Sequence, residues 1–145
     1  KYAAHPTIVS AVRVQNAKGI SLDDIKIIDK EWIVGMRNKL ATKLQNNSAG
    51  TYLRNGVVLK NHVCTEAFLC DKRGAVVGEY PKTSHYWQGD EAKFTECYNM
   101  GDGKVFIDQL YFDESTQAYS VQISVPVKDN EETIGVLVLG IRNII

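Results

Sequence analysis

An α+β domain built on an antiparallel sheet is what this chain predicts, from three observations. Odd positions from Tyr119 to Val127 are apolar (Tyr119, Val121, Ile123, Val125, Val127), with Ser120, Gln122 and Ser124 between them. That period of two marks a strand with one wet face. After the polar turn Asp129 to Glu132, the uncharged and largely β-branched run from Ile134 to Ile141 reads as a central strand covered on both faces. The two segments make a long antiparallel hairpin. Finally, helical spacing runs through residues 1–62, and strand patterns dominate from Val63 onward with one short helical stretch among them. The βαβ alternation that builds a parallel sheet is absent.

In the helical part, Pro6 suits the first turn of a helix from about His5 to Ala17, with Ile8, Val9 and Val12 on one stripe and Gly19 beyond its end. Ser21 and Asp24 form a capping box for a second helix whose apolar positions are Leu22, Ile25, Ile28 and Trp32, and Gly35 ends it. Met36 to Gln45, with Leu40 and Leu44 four apart, predicts a third helix that stops at Asn46, Asn47 and Ser48. Ala49 to His62 keeps two readings, because the helical spacing of Tyr52, Leu53, Val57 and Val58 competes with Gly50 and Gly56.

The sheet part begins with the apolar run Ala67 to Cys70, a turn through Asp71 to Gly74, and a return from Ala75 to Tyr80. Residues 81–88 are irregular and aromatic. Gly89 to Asn99 predicts a short helix with Ala92, Phe94 and Cys97 on its inner face and with Asp90 and Glu91 at its positive end. Lys104 to Phe112 is the third strand, and Asp113 to Gln117 turns into the long hairpin. The expected architecture is one domain over residues 1–145, helical over 1–62 and sheet over 63–145. It has five strands, the N-terminal helices on one face, and a pocket under the 80–100 segment on the other.

Seventeen basic residues balance seventeen acidic ones among 145, which removes the field that draws nucleic acid or an anionic membrane. No apolar run approaches the ~20 residues of a membrane helix, and no signal-peptide pattern opens the chain. A soluble chain is expected, and its start at Lys1 fits a trimmed piece that has lost a signal or anchor. Cys64 and Cys70, if on one strand, stand roughly 20 Å apart at ~3.3 Å per residue, too far for a disulfide. Only Cys97 remains as a bridging partner for either, and buried small hydrophobes are the simpler reading. The cysteines lack a CxxC pair and His5, His62 and His85 are scattered, so neither a metal site nor a cofactor is expected. With no GxSxG, no paired carboxylates and no cysteine beside a histidine, the chain reads as non-enzymatic.

The order of these elements resembles the extracytoplasmic PAS-like sensor domains called PDC or Cache domains, over about Asp23 to Ile141. The block YSVQISVPVKDNEETIGVLVLGI resembles that family's final hairpin, and FLCDKRGAVVGEY its first. SHYWQGDEAKF and FDESTQAY resemble a subgroup of small single-domain members. The resemblance implies periplasmic or extracytoplasmic sensing of a small molecule in bacterial signal transduction, in the manner of chemoreceptors. In amino-acid-binding members an Arg before a Trp-aromatic pair holds the ligand carboxylate, while a Tyr-x-Asp and an Asp on the last strand hold its amine. Tyr86 and Trp87 match the pair in reversed order, and Tyr111 with Asp113 matches Tyr-x-Asp. Two positions depart: the segment before the pair has Lys82 but no Arg, and Gly140 stands where the last Asp would fall. The implied ligand set is therefore Tyr86, Trp87, Tyr111, Asp113 and Lys82, for a small polar, carboxylate- or amine-bearing metabolite.

The same residues read without the resemblance give a related picture. Tyr111 and Asp113, two apart on a strand, project from one face, where a phenol beside a carboxylate receives a cationic or hydrogen-bonding group. Tyr86 and Trp87 would add cation–π attraction of about 0.5–2 kcal/mol. The competing expectations are that Asp113 opens a turn toward Ser115 and that the aromatic pair plugs the core beneath a loop. A small-molecule sensor with its N-terminal helix as output or homodimer contact is the functional expectation. A structural or protein-interaction module and a small enzyme are the alternatives.

Overall fold

The computed structural model describes residues 1–114 and 117–142, with Asp113 described by its backbone only. After a 3-10 turn at Tyr2–Ala4, helix α1 (Pro6–Ala17) starts with proline at its first position and His5 as cap, the imidazole accepting from the Thr7 amide at 3.2 Å. Helix α2 (Leu22–Ile33) is capped by Ser21, whose hydroxyl accepts from the Asp24 amide at 3.2 Å. Helix α3 (Asn38–Asn46) ends at Asn47, which caps α4 (Ser48–Tyr52) through the Gly50 amide at 2.8 Å. The ambiguous stretch resolves as helix, because α4 runs on into a π-helical segment, Leu53–Val58, whose Leu53, Val57 and Val58 are buried.

Six antiparallel strands follow: β1 (Cys64–Cys70), β2 (Val76–Tyr80), β3 (Phe106–Ile107), β4 (Tyr111–Asp113), β5 (Ala118–Asp129) and β6 (Glu132–Arg142), with α5 (Ala92–Tyr98) between β2 and β3. Their order is β2-β1-β6-β5-β3, with β4 also paired to β5. The apolar run at Ile134 to Ile141 is thus the central strand, flanked by β1 and β5. The α+β class stands, with one more strand than expected. The segment from Lys104 to Phe112 splits because Asp108 accepts the amide of its own neighbour Gln109 at 2.8 Å, and such local bonds compete with a ladder.

Both faces of the sheet are covered, by different helices. On one face α1, α4 and the π-helical segment pack Ile8, Val12, Ala49, Leu53 and Val57 against Ala67, Leu69, Val77 and Leu137. Here α4 approaches β2 so closely that a Cβ on Gly78 would sit 2.7 Å from the Ala49 methyl. The second face is filled by Trp32 of α2, Leu44 of α3, Tyr86, and Phe94 and Cys97 of α5 against Phe68, Cys70, Val76, Val136 and Val138. The N-terminal helices therefore divide between the faces: α2 and α3 cross to the second because the apolar stripe ending in Trp32 finds its cover there.

The wet face expected of β5 is a correction. Ser120 and Ser124 are 5% and 0% exposed, while Tyr119 is 47% exposed. Tyr111 pairs opposite Ser120 and Phe106 opposite Ser124, so the serines have aromatic cross-strand neighbours on their own face, where Phe106 packs against the second core cluster. All three cysteines are buried and free.

Candidate functional site

The chain leaves β2 through a cis Tyr80–Pro81 peptide and returns along the outer edge of the same strand. There the Val76 amide donates to the Tyr86 carbonyl at 3.0 Å, and Ala75 and Trp87 form a bridge. The loop between is pinned from two sides. From the sheet, Glu79 accepts the Thr83 amide at 2.8 Å, and the Thr83 hydroxyl lies 3.0 Å from the same carboxylate oxygen and 2.7 Å from the His85 carbonyl. From α2, Asp29 accepts the amides of Tyr86 and Trp87 at 2.9 and 3.0 Å and stands 3.2 Å from His85 Nδ1. The Trp32 indole closes the arrangement by donating to the Thr83 carbonyl at 3.0 Å. A carboxylate that takes two backbone amides of a loop orders it more firmly than apolar packing alone, since each charged hydrogen bond is directional.

Glu79 is fully buried and its second oxygen, Oε2, has no partner among the described residues. Burial pushes its carboxyl up to about 7, against the opposing pull of the two Thr83 contacts and of Lys82. Tyr86 is buried with its ring 5.6 Å from that of Trp32. Burial, with the charge of Asp71 adding to it and that of Arg37 opposing, holds the Tyr86 phenol at about 12. Trp87 turns outward: its indole donates to the Arg73 carbonyl at 2.9 Å and the Lys26 ammonium lies 4.9 Å above its ring. Lys82 lies 5.2 Å above the ring of Trp32.

Beside this loop a cavity of about 680 Å³ opens between α1, α3 and the edge of the sheet. Val14 of α1, Ile20, Ile28 of α2, Leu40 and Leu44 of α3, Val76 and Val77 of β2, and Tyr86 are among its walls. Val76 and Val77 belong to opposite faces of the sheet, so the cavity wraps round the β2 edge. Lys18, Arg37 and Lys43 also line it, and among the described residues no Asp or Glu does. Its size lies within the roughly 300–1,000 Å³ usual for small-ligand sites.

The space under the 80–100 segment is itself occupied by Tyr86, Phe94 and Cys97, and the cavity lies at the margin of that segment. Of the five expected ligand residues, Tyr86 is in the cavity wall, while Trp87 and Lys82 stack on α2 side chains at the back of the loop. Tyr111 is exposed on β4 opposite Ser120. It shares a sheet face with the loop but stands five strand spacings away, roughly 24 Å at ~4.8 Å each. The Asp113 side chain and its expected turn toward Ser115 lie outside the described residues. At Gly140, Glu66 of β1 covers the position: a Cβ there would run into the Glu66 side chain, whose Oε2 is also 3.4 Å from the Gln122 amide.

Asp29, Glu79, Arg37 and Lys43 were not singled out from sequence. Glu79 carried a signal, a lone acid inside the apolar return strand. Asp29 and Lys43 lie on polar positions of amphipathic helices and Arg37 in the turn before α3, where charges are ordinary.

No family model matches the chain, and comparison with curated proteins gives no match. Among solved structures it is similar to the ligand-binding domain of the Pseudomonas aeruginosa amino-acid chemoreceptor PctC in complex with GABA, at 15% identity and a TM-score of 0.52, over 88% of this chain and 60% of that one. It is also similar to the ligand-binding domain of the Campylobacter jejuni chemoreceptor Tlp3 in complex with 4-methylisoleucine, at 13% identity and 0.46, over 93% and 57%. A third is the sensor domain of the Vibrio cholerae histidine kinase DctB, at 16% and 0.43, over 92% and 51%. The chain thus spans a little over half the length of these structures.

Proposed function

We propose that this chain, which has the fold of the PDC/Cache sensor domains, is an extracytoplasmic domain that senses a small metabolite in bacterial signal transduction. The observation that supports this most directly is the cavity at the β2 edge, which is large enough for a metabolite and walled by the aromatic loop. Tyr86 is assigned to the ligand contact. Trp87 and Lys82 are assigned to holding the loop against α2, and Tyr111 on β4 is assigned no part in this contact. Because α1 forms one cavity wall, an occupant that prefers one placement of α1 shifts its equilibrium. That makes α1 the natural output or homodimer contact.

Thermal denaturation against a panel of amino acids, organic acids and amines tests the proposal. A ligand at a hundred times its dissociation constant adds about 2.7 kcal/mol, and Ser10→Trp, an exposed position on the cavity rim, abolishes the shift. A panel without a single shift would instead favour a protein-interaction module. One observation speaks for that second reading: the face beneath the 80–100 segment is filled by the chain's own side chains.

A further inference from the structure

Resting on the cavity being the ligand site, we infer that its ligand is an amphipathic monoanion, a carboxylate on an extended apolar body, and not an amine or a zwitterion. Three cations from different positions meet at this cavity: Lys18 at the end of α1, Arg37 just before α3, and Lys43 within α3. With no acid among the described residues of the lining, and with Glu31 engaged by Arg37, an ammonium entering it would face a net positive wall, which selects against it.

Arg37 gives the site its geometry. Its Nη2 donates to Glu31 at 3.1 Å, but Nε is buried and without a partner among the described residues. A guanidinium presents its donors as a planar fork that a carboxylate accepts in pairs, and with 38% of its side chain exposed Arg37 keeps donors for an incoming carboxylate besides the one held by Glu31. Helix α3 begins beside it with no side-chain cap, and the positive end of its dipole adds to the same field. The Tyr86 hydroxyl has no hydrogen-bond partner among the described residues. A small hydrophilic anion would leave the apolar walls from Val14 round to Val77 wet. An apolar tail covers them, and burial of that surface favours the longer acid.

Isothermal titration of the purified chain with octanoate, octylamine, octanol, leucine and acetate tests the inference. Octanoate is expected to bind with a negative heat-capacity change, and octylamine, leucine and acetate at least about 10-fold more weakly. Arg37→Gln lowers octanoate affinity by about 10- to 100-fold and leaves octanol unchanged; Lys43→Gln acts in the same direction with a smaller effect. Octylamine binding as tightly as octanoate, or octanoate binding unchanged in both variants, overturns the inference. Should Arg37→Gln fail to fold by circular dichroism, Lys43→Gln and the octanoate-to-octylamine ratio of the wild type decide. An amino acid or amine that binds and is lost in Ser10→Trp overturns the anion assignment while leaving the sensor proposal intact. No binding by any compound removes both.

Discussion

Thr83 is fastened to a single oxygen of Glu79, its amide at 2.8 Å and its hydroxyl at 3.0 Å. A protonated Glu79 completes the chain of donors, giving its proton to the Thr83 hydroxyl, which in turn donates to the His85 carbonyl. Burial holds the Glu79 carboxyl near 7 in the fold against 4.5 in the unfolded chain. Below pH 4.5 both states carry the proton and the effect vanishes. Between there and about 7 the folded chain binds more protons, so stability falls as pH rises, by about 3 kcal/mol once both states are ionised. Urea denaturation at a series of pH values should show that decline in the wild type and a flattened profile in Glu79→Gln, with the variant the more stable at pH 8. A variant profile as steep as the wild type would assign the slope to another group.

Asp29 is the other anchor of the loop. Asp29→Ala leaves the Tyr86 and Trp87 amides without their acceptor, at a cost of about 2–4 kcal/mol. Hydrogen exchange resolved at those two amides checks the mechanism, because they should lose protection while amides of the β6 core keep theirs. Unchanged protection at both would mean that edge pairing with β2 is sufficient.

Close approach makes Gly140 sensitive to size. Gly140→Ala places a methyl group in the Glu66 side chain and should cost about 1–3 kcal/mol. Adding Glu66→Ala should return most of the loss in a double-mutant cycle. Strict additivity of the two changes would refute the contact as its origin.

The cysteines should be silent in the native protein. Cys64, Cys70 and Cys97 are buried and free, and burial pushes all three thiols up, Cys97 to about 12. Little thiolate is then present for attack at pH 8. A thiol reagent should register no cysteine before unfolding and three in guanidinium. Rapid reaction of even one in the native state would contradict its placement.

Local chemistry accounts for what could be read from the chain alone. Ser21 and Asp24 announce α2, Pro6 announces α1, and the paired runs around Asp129 to Glu132 announce the β5–β6 hairpin; each signal lies within a few residues of its effect. Asp108 shows the limit, because one carboxylate turned onto the next amide divides a segment whose apolar content reads as a single strand. Ser120 and Ser124 are polar in composition yet buried, beside cross-strand neighbours nine and eighteen positions away. The cavity depends on chain segments from Pro6 to Tyr86, and no local period encodes their meeting. Tyr86 could be picked out as an aromatic in an irregular loop, but Arg37 and Lys43 acquire significance only from the β2 edge that they face.

That edge gives the two layers a common seam. Helix α1 packs on one side of the sheet and the 80–88 loop closes over the other, and the central strands keep them apart. At β2, Val76 and Val77 line the same cavity from opposite faces and bring both within reach of a single occupant. On the proposed reading, a molecule lodged there acts like a wedge in a hinge, its widening displacing α1 and the aromatic loop in the same event. The two would then report occupancy with identical titration midpoints, whichever of them is watched.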